Sequence, residues 1–249
     1  MTRRARGVAA TLLGTIVSAA VLTGCGSASE EYAPTGVDQL VIPTPSLAPD
    51  DFVAGVDNPW LPLTPGSRWT YDRIVDGAHG RLEVEVLDRT REIQGVDATV
   101  VRTSVVSPRQ RVVAQSFRWY AQDAAGNVWF LGEQTTSYAG KRPSTEGSWE
   151  AGVAGAEAGL AMPATPRIGD GFRTDYAPGV AEDRAEVVDL SGFASVPYGD
   201  LTDLLETEDR TAIEPDVLQR RQYAKGIGLV RELTITGGDQ LLELVSYRP

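Results

Sequence analysis

The sequence predicts a mainly β protein: a single antiparallel domain forming an open barrel or strongly curved sheet, with few or no long helices. Three observations carry this expectation. Apolar residues recur at period 2 in successive short runs, Gly, Pro, Asn and Asp clusters separate those runs, and no helical periodicity extends beyond about ten residues. Such a pattern suits about ten to twelve strands.

The chain begins with a segment of a different kind. Met1-Thr2-Arg3-Arg4-Ala5-Arg6 is a basic start, and Val8, Leu12, Leu13, Ile16, Val17, Val21 and Leu22 follow in a mainly apolar stretch. That is signal-peptide anatomy, and it falls short of the about 20 residues a helix needs to span a bilayer. Ala5-Arg6 lacks the apolar character that a twin-arginine signal has just after its arginine pair. The stretch ends in Leu22-Thr23-Gly24-Cys25, which resembles a bacterial lipobox. The resemblance implies cleavage between Gly24 and Cys25 and lipidation of the Cys25 sulfur. The expected organisation is therefore a lipoprotein signal peptide over 1–24, a lipidated cysteine with a Pro-rich tether over 25–50, and the β domain over 51–249, including a long loop at 144–170.

Pro34, Pro43, Pro45 and Pro49 make the tether extended, with an edge strand over 37–42 as the alternative for its one apolar run. The domain starts with Asn58-Pro59-Trp60-Leu61-Pro62-Leu63-Thr64-Pro65-Gly66, where three prolines prevent a helix and Trp60, Leu61 and Leu63 close one end of the core. Trp69 and Tyr71 then alternate with Arg68, Thr70 and Asp72. Asp76-Gly77 turns into Leu82, Val84 and Val86, which alternate with Glu83 and Glu85, and Gln94-Gly95 turns into the β-branched run 99–106, which Pro108 ends. Val113, Phe117, Trp119 and Ala121 share one face of the next strand; Ser116, Arg118, Tyr120 and Gln122 share the other. After the loop 123–127, Val128-Trp129-Phe130-Leu131 is apolar on both faces and reads as a central strand.

Residues 144–170, rich in Gly, Ala and Pro, interrupt this rhythm. So long a loop in a compact domain is either functional or a packed cap over an open sheet edge or barrel end. Asp200 to Glu208 fits helix and strand equally well. The carboxyl end is a hairpin, with Ile227, Leu229, Leu233 and Ile235 at period 2, a turn at Gly237-Gly238-Asp239, and Leu241 to Val245 returning.

Composition bounds the chemistry. The formal charge is −11, and loss of Arg3, Arg4 and Arg6 from the 23 basic residues leaves 20 against 34 acids, or −14. An acidic surface of this kind repels phosphate backbones and argues against nucleic acid as a partner. With Cys25 the single cysteine, no intramolecular disulfide forms, and with His79 the single histidine an ordinary zinc site is excluded. His79 falls in a hairpin tip, unsuited to a catalytic triad. There is no G-x-S-x-G elbow and no D-x-[DN]-x-[DN]-G calcium loop, and Gly226-Ile227-Gly228 lacks the third glycine of a dinucleotide fingerprint. No catalytic residue, metal site or cofactor is expected. Trp69, Trp119 and Trp129 lie in strands and belong to the core, whereas Trp60 and Trp149 lie outside regular strands and are the ligand-binding candidates.

Two motifs carry a family resemblance. N-P-W-L-P-L-T-P-G-S-R-W-T-Y over 58–71 and Y-A-K-G-I-G-L-V-R-E over 223–232 resemble signatures of actinobacterial-type cell-envelope lipoproteins, a family with no assigned activity. The resemblance extends through Trp119 to Trp149 and covers most of 51–245. It implies a lipid-anchored protein on the extracytoplasmic face of the membrane. The expected function is a non-catalytic binding or interaction module whose partners are the membrane, through Cys25, and an apolar ligand such as a lipid, or an envelope protein. The alternative is a surface glycan hydrolase using paired carboxylates in a cleft beside Trp60 or Trp149.

Overall fold

The computed structural model describes residues 48–138 and 140–249. Gly24, Cys25, the leader and the tether to residue 47, including the alternative edge strand at 37–42, lie outside the described residues. A 3-10 turn at Pro49–Asp51 leads into fourteen strands: β1 Phe52–Val53, β2 Arg68–Val75, β3 Ala78–Ile93, β4 Val96–Val106, β5 Val112–Asp123, β6 Val128–Ser137, β7 Trp149–Glu150, β8 Gly159–Met162, β9 Gly171–Arg173, β10 Asp183–Val196, β11 Gly199–Thr211, β12 Leu218–Ala224, β13 Gly228–Thr236 and β14 Leu241–Arg248. They form one antiparallel sheet in the order β7-β6-β5-β4-β3-β2-β14-β13-β12-β11-β10-β9, with β1 beside β5 and β8 beside β6. The sheet is strongly curved and does not close into a barrel: its path ends at β7 on one side and β9 on the other. The predicted fold class is the observed one. The strand count is higher than the expected ten to twelve because β1, β7, β8 and β9 are each four residues or shorter, too brief to show an alternation in sequence.

Local chemistry explains the hairpins. Asp76-Gly77 and Gln94-Gly95 both have positive φ at both positions, 49° and 68°, then 50° and 83°, the backbone that two-residue hairpins require. Register shifts interrupt the β3–β4, β5–β6, β10–β11 and β12–β13 ladders, and such bulges bend a sheet and increase its twist.

Two local expectations are sharpened. Asp200 to Glu208 is strand, part of β11; Asp203 takes a left-handed φ of 54°, which breaks any helix, and Leu204 and Leu205 are both fully buried. Val128–Leu131 is buried on both faces, yet β6 is the last long strand on its side of the sheet. Its edge is covered by β7 and β8, both contributed by the long loop. That loop packs as a cap: Trp149, Ala151, Ala156, Ala158, Leu160 and Met162 all join the core. An isolated bridge between Glu157, just before β8, and Tyr176, just after β9, ties the cap to the far edge of the sheet.

The Pro-rich lead-in turns at Asn58–Leu61, where the Leu61 N–H donates to the Asn58 carbonyl (3.1 Å), and buries Trp60 and Leu63. Asn58, 2% exposed, fastens it. Its Nδ2 donates to the carbonyls of Gly126 (2.9 Å) and Pro163 (3.1 Å), and its Oδ1 accepts from the Trp60 N–H (2.9 Å). Lead-in, β5–β6 loop and cap meet at this one side chain. Asn58→Ala leaves two buried carbonyls and one N–H without these partners and is expected to cost about 2 kcal/mol, read as a lower urea midpoint with an unchanged m-value.

Candidate functional site

The inward face of the curved sheet carries a groove. It consists of three adjoining depressions of about 200, 130 and 390 Å³. Arg118 and Leu229 line all three; Arg221 and Glu232 line the first and third, and Leu82 and Thr103 the second and third. β5 and β12 are far apart in the sheet order, so their side chains share a cavity only because the sheet curls. β13 is held in place from β2: the Trp69 indole donates to the Ile227 carbonyl (2.7 Å) and the Tyr71 hydroxyl to the Leu229 carbonyl (2.9 Å).

The smallest depression is apolar, walled by Leu61, Leu63, Leu82, Val84, Val101 and Leu229. The other two have an ionic floor. Arg221 donates through Nε to Glu232 (2.7 Å) and through Nη1 to Asp209 (2.7 Å). Asp209 also accepts from the Thr207 hydroxyl (2.7 Å), and Glu232 from the Gln240 amide (2.6 Å). Burial works to raise Glu232, but Arg221, the Gln240 amide and Arg118 together outweigh it and hold that carboxyl below its ordinary value. Burial pushes Asp209 up against the same arginine. The repulsion of Glu232 and Asp183 adds to the rise at Asp209, whereas Gln240 and Arg118 add to the fall at Glu232. Arg118 donates through Nε to Glu133 (3.0 Å), and the Glu133 charge raises its pKa. Burial raises Tyr120 and Tyr223, which stay neutral hydroxyls in the groove.

Asp175 lines the first depression and is pushed up to about 7, by burial first and then by Asp183, while the Asp183 N–H (3.0 Å) opposes the shift. The native protein therefore keeps a proton that the unfolded chain releases, and stability falls as pH rises from about 4 to 7 and levels off above that. Asp175→Asn keeps the acceptor oxygen and loses the titration. Allowing for solvent at this half-buried carboxyl, the variant is expected to be about 1–2 kcal/mol more stable than the parent at pH 8, with no gain at pH 4, by urea denaturation at each pH.

Trp60 and Trp149 are placed elsewhere. Both are core residues, 6% and 7% exposed, and neither lines the groove. Lys225 lies over the Trp60 ring at 4.9 Å, and Trp149 packs edge-on against Phe130, which stacks on Tyr120 of the groove. The structure does not bring the two tryptophans to one ligand site, because the lead-in and the cap that carry them are packed segments. The acids beside them are engaged: Glu150 pairs with Arg91, and Asp57 accepts from Gln122 (2.6 Å). Trp69, Trp119 and Trp129 are buried as expected, and His79 is exposed next to its turn. The groove residues Arg118, Arg221, Asp209, Glu232 and Asp175 were not singled out by sequence reasoning. A signal existed in the repeated Arg-x-Tyr spacing, Arg118 with Tyr120 and Arg221 with Tyr223, which puts a cation and an aromatic on the same face of two strands.

No protein-family model matches the chain, and no curated protein matches it significantly. Among solved structures, it is similar to a protein from Bacteroides fragilis NCTC 9343, inferred to be exported and given a YmcC-like fold, at 14% identity and a TM-score of 0.43, covering 76% of this chain and 99% of that one. It is also similar to an inferred lipoprotein from Parabacteroides distasonis ATCC 8503, at 10% identity and a TM-score of 0.42, covering 76% and 98%. Likenesses this distant transfer neither activity nor location.

Proposed function

We propose that the chain is a lipid-anchored extracytoplasmic lipoprotein that binds, without catalysis, a lipid or other apolar-tailed ligand in the inward groove. The observation that carries this reading is the groove itself, an apolar recess continuous with an ionic floor; together its three parts fall within the about 300–1,000 Å³ of ordinary ligand pockets. Glu133, Asp209 and Glu232 are each paired with an arginine of the fold, which supports a structural and binding role for them. The lipobox-like Leu22-Thr23-Gly24-Cys25 supports the anchor.

The test is native mass spectrometry of the full-length protein purified from its own host in mild detergent, compared with Leu82→Trp, which fills a wall shared by two depressions. A ligand mass present in the parent and lost from the variant, with acyl mass on Cys25 retained in both, is the expected result. No ligand mass on the parent, or one unaffected by Leu82→Trp, contradicts the groove reading. Membrane retention of Cys25→Ser contradicts the anchor.

A further inference from the structure

We propose that the ligand is a single-chain monoanionic carboxylate, a long-chain fatty acid, whose head is held by Arg118 at the junction of the three depressions; this rests on the groove reading above. Arg118 is placed for that task. It lines every part of the groove, its one hydrogen bond to a carboxylate is made by Nε, and its side chain is 43% exposed. Among the described residues no carboxylate holds its two terminal nitrogens, the half of the guanidinium suited to gripping a carboxylate through two parallel bonds, and the neutral Tyr120 hydroxyl stands beside the group. Arg221 differs: Nε and Nη1 are both committed to carboxylates within the fold.

The surrounding charges select the head. Arg73, Arg118 and Arg221 stand against Glu133 and Glu232, with Asp209 behind Arg221, so the floor is close to neutral before the partly ionised Asp175 is added. A dianion such as a phosphate monoester would face Glu133, Glu232 and the partly ionised Asp175 with no excess of cations, whereas one negative charge is matched by the terminal nitrogens of Arg118. The neutral Tyr120 and Tyr223 hydroxyls flank the same depression as donors. For the tail, the apolar recess of about 130 Å³ begins at Arg118 between Leu61, Leu82, Val84 and Val101 and seats the first methylenes, the rest of the chain lying along the open groove.

The experiment uses full-length protein in phosphatidylcholine nanodiscs with carboxyl-13C palmitate, and 13C-labelled hexadecanol as the uncharged comparator. The expected result is a protein-bound carboxyl resonance, distinct from bilayer palmitate, that stays ionised to lower pH than the bilayer pool. The paired variant Arg118→Gln with Glu133→Gln, which leaves no orphan charge, should weaken palmitate binding at least about tenfold while hexadecanol binding and the thermal midpoint hold. Equal binding of acid and alcohol with no effect of the paired variant, or equal loss of both, overturns the head-group assignment while groove binding stands. Binding of neither probe, with a co-purified mass indifferent to Leu82→Trp, overturns the groove reading as well.

Discussion

Arg221→Ala is expected to lower the unfolding free energy by about 3–5 kcal/mol at pH 7, the largest single effect in the molecule, because it strips the counter-charge from two carboxylates at once. Asp209 is 6% exposed and Glu232 9%, and their other partners, the Thr207 hydroxyl and the Gln240 amide, are neutral. The pH dependence follows from the direction of the Glu232 shift. A carboxyl held below its ordinary value stabilises the fold above that value, and this contribution is lost as pH falls through the depressed one. In the variant both carboxyls rise, so the native state takes up protons as pH falls from 7 toward 5 and the deficit against the parent narrows. Urea denaturation at pH 7 and pH 5 reads this out; a deficit that is constant with pH would mean that Arg221 acts only as packing. Arg221→Met combined with Asp209→Leu and Glu232→Leu should recover most of the loss, since an apolar trio carries no desolvation cost.

Gly159→Ala should come next, costing about 3 kcal/mol and lowering the thermal midpoint by roughly 6–12 °C. A Cβ at this position would stand 2.2 Å from the Thr174 carbonyl oxygen, 2.3 Å from its carbon and 2.6 Å from the Asp175 nitrogen. All three are backbone atoms, so relief requires moving the strand or the seam where the cap meets the far edge of the sheet. Gly171→Ala in β9, where a Cβ meets nothing within 4 Å, is the control and should be within about 0.5 kcal/mol of the parent. A mild midpoint shift in Gly159→Ala, matching the control, would show that the seam yields.

The strand-by-strand course of the chain was legible because it depends on neighbours in sequence. Asp76-Gly77 and Gln94-Gly95 announce their turns, Leu82, Val84 and Val86 their period, and Gly237-Gly238-Asp239 the final hairpin. What stayed open or incomplete lay where burial is decided by remote segments. Val128–Leu131 reads as central because both faces are apolar, but the second covering comes from the cap and not from another long strand. Leu201, Leu204 and Leu205 match helical spacing, and only the left-handed Asp203 and burial on both sides reveal a strand. The site was less legible still. Arg118 and Arg221 are each one charged residue in an ordinary strand; what unites them is the curl of the sheet, which period-2 patterning does not encode. Trp60 and Trp149 drew attention as aromatics outside regular strands, and those segments proved to be core.

The joint between β2 and β14 governs how the molecule must assemble. Almost every other ladder joins strands close in sequence and can zip up locally, but this one sets Arg68 against Arg248. The entropy of closing so long a loop is met only once the last residues of the chain are in place, so the amino-terminal and carboxyl-terminal meanders form as separate half-sheets and dock last. Until then β2 and β14 each present an unpaired edge. Losing β14 would leave two sticky halves, so a short carboxyl-terminal truncation should disrupt folding out of proportion to its length.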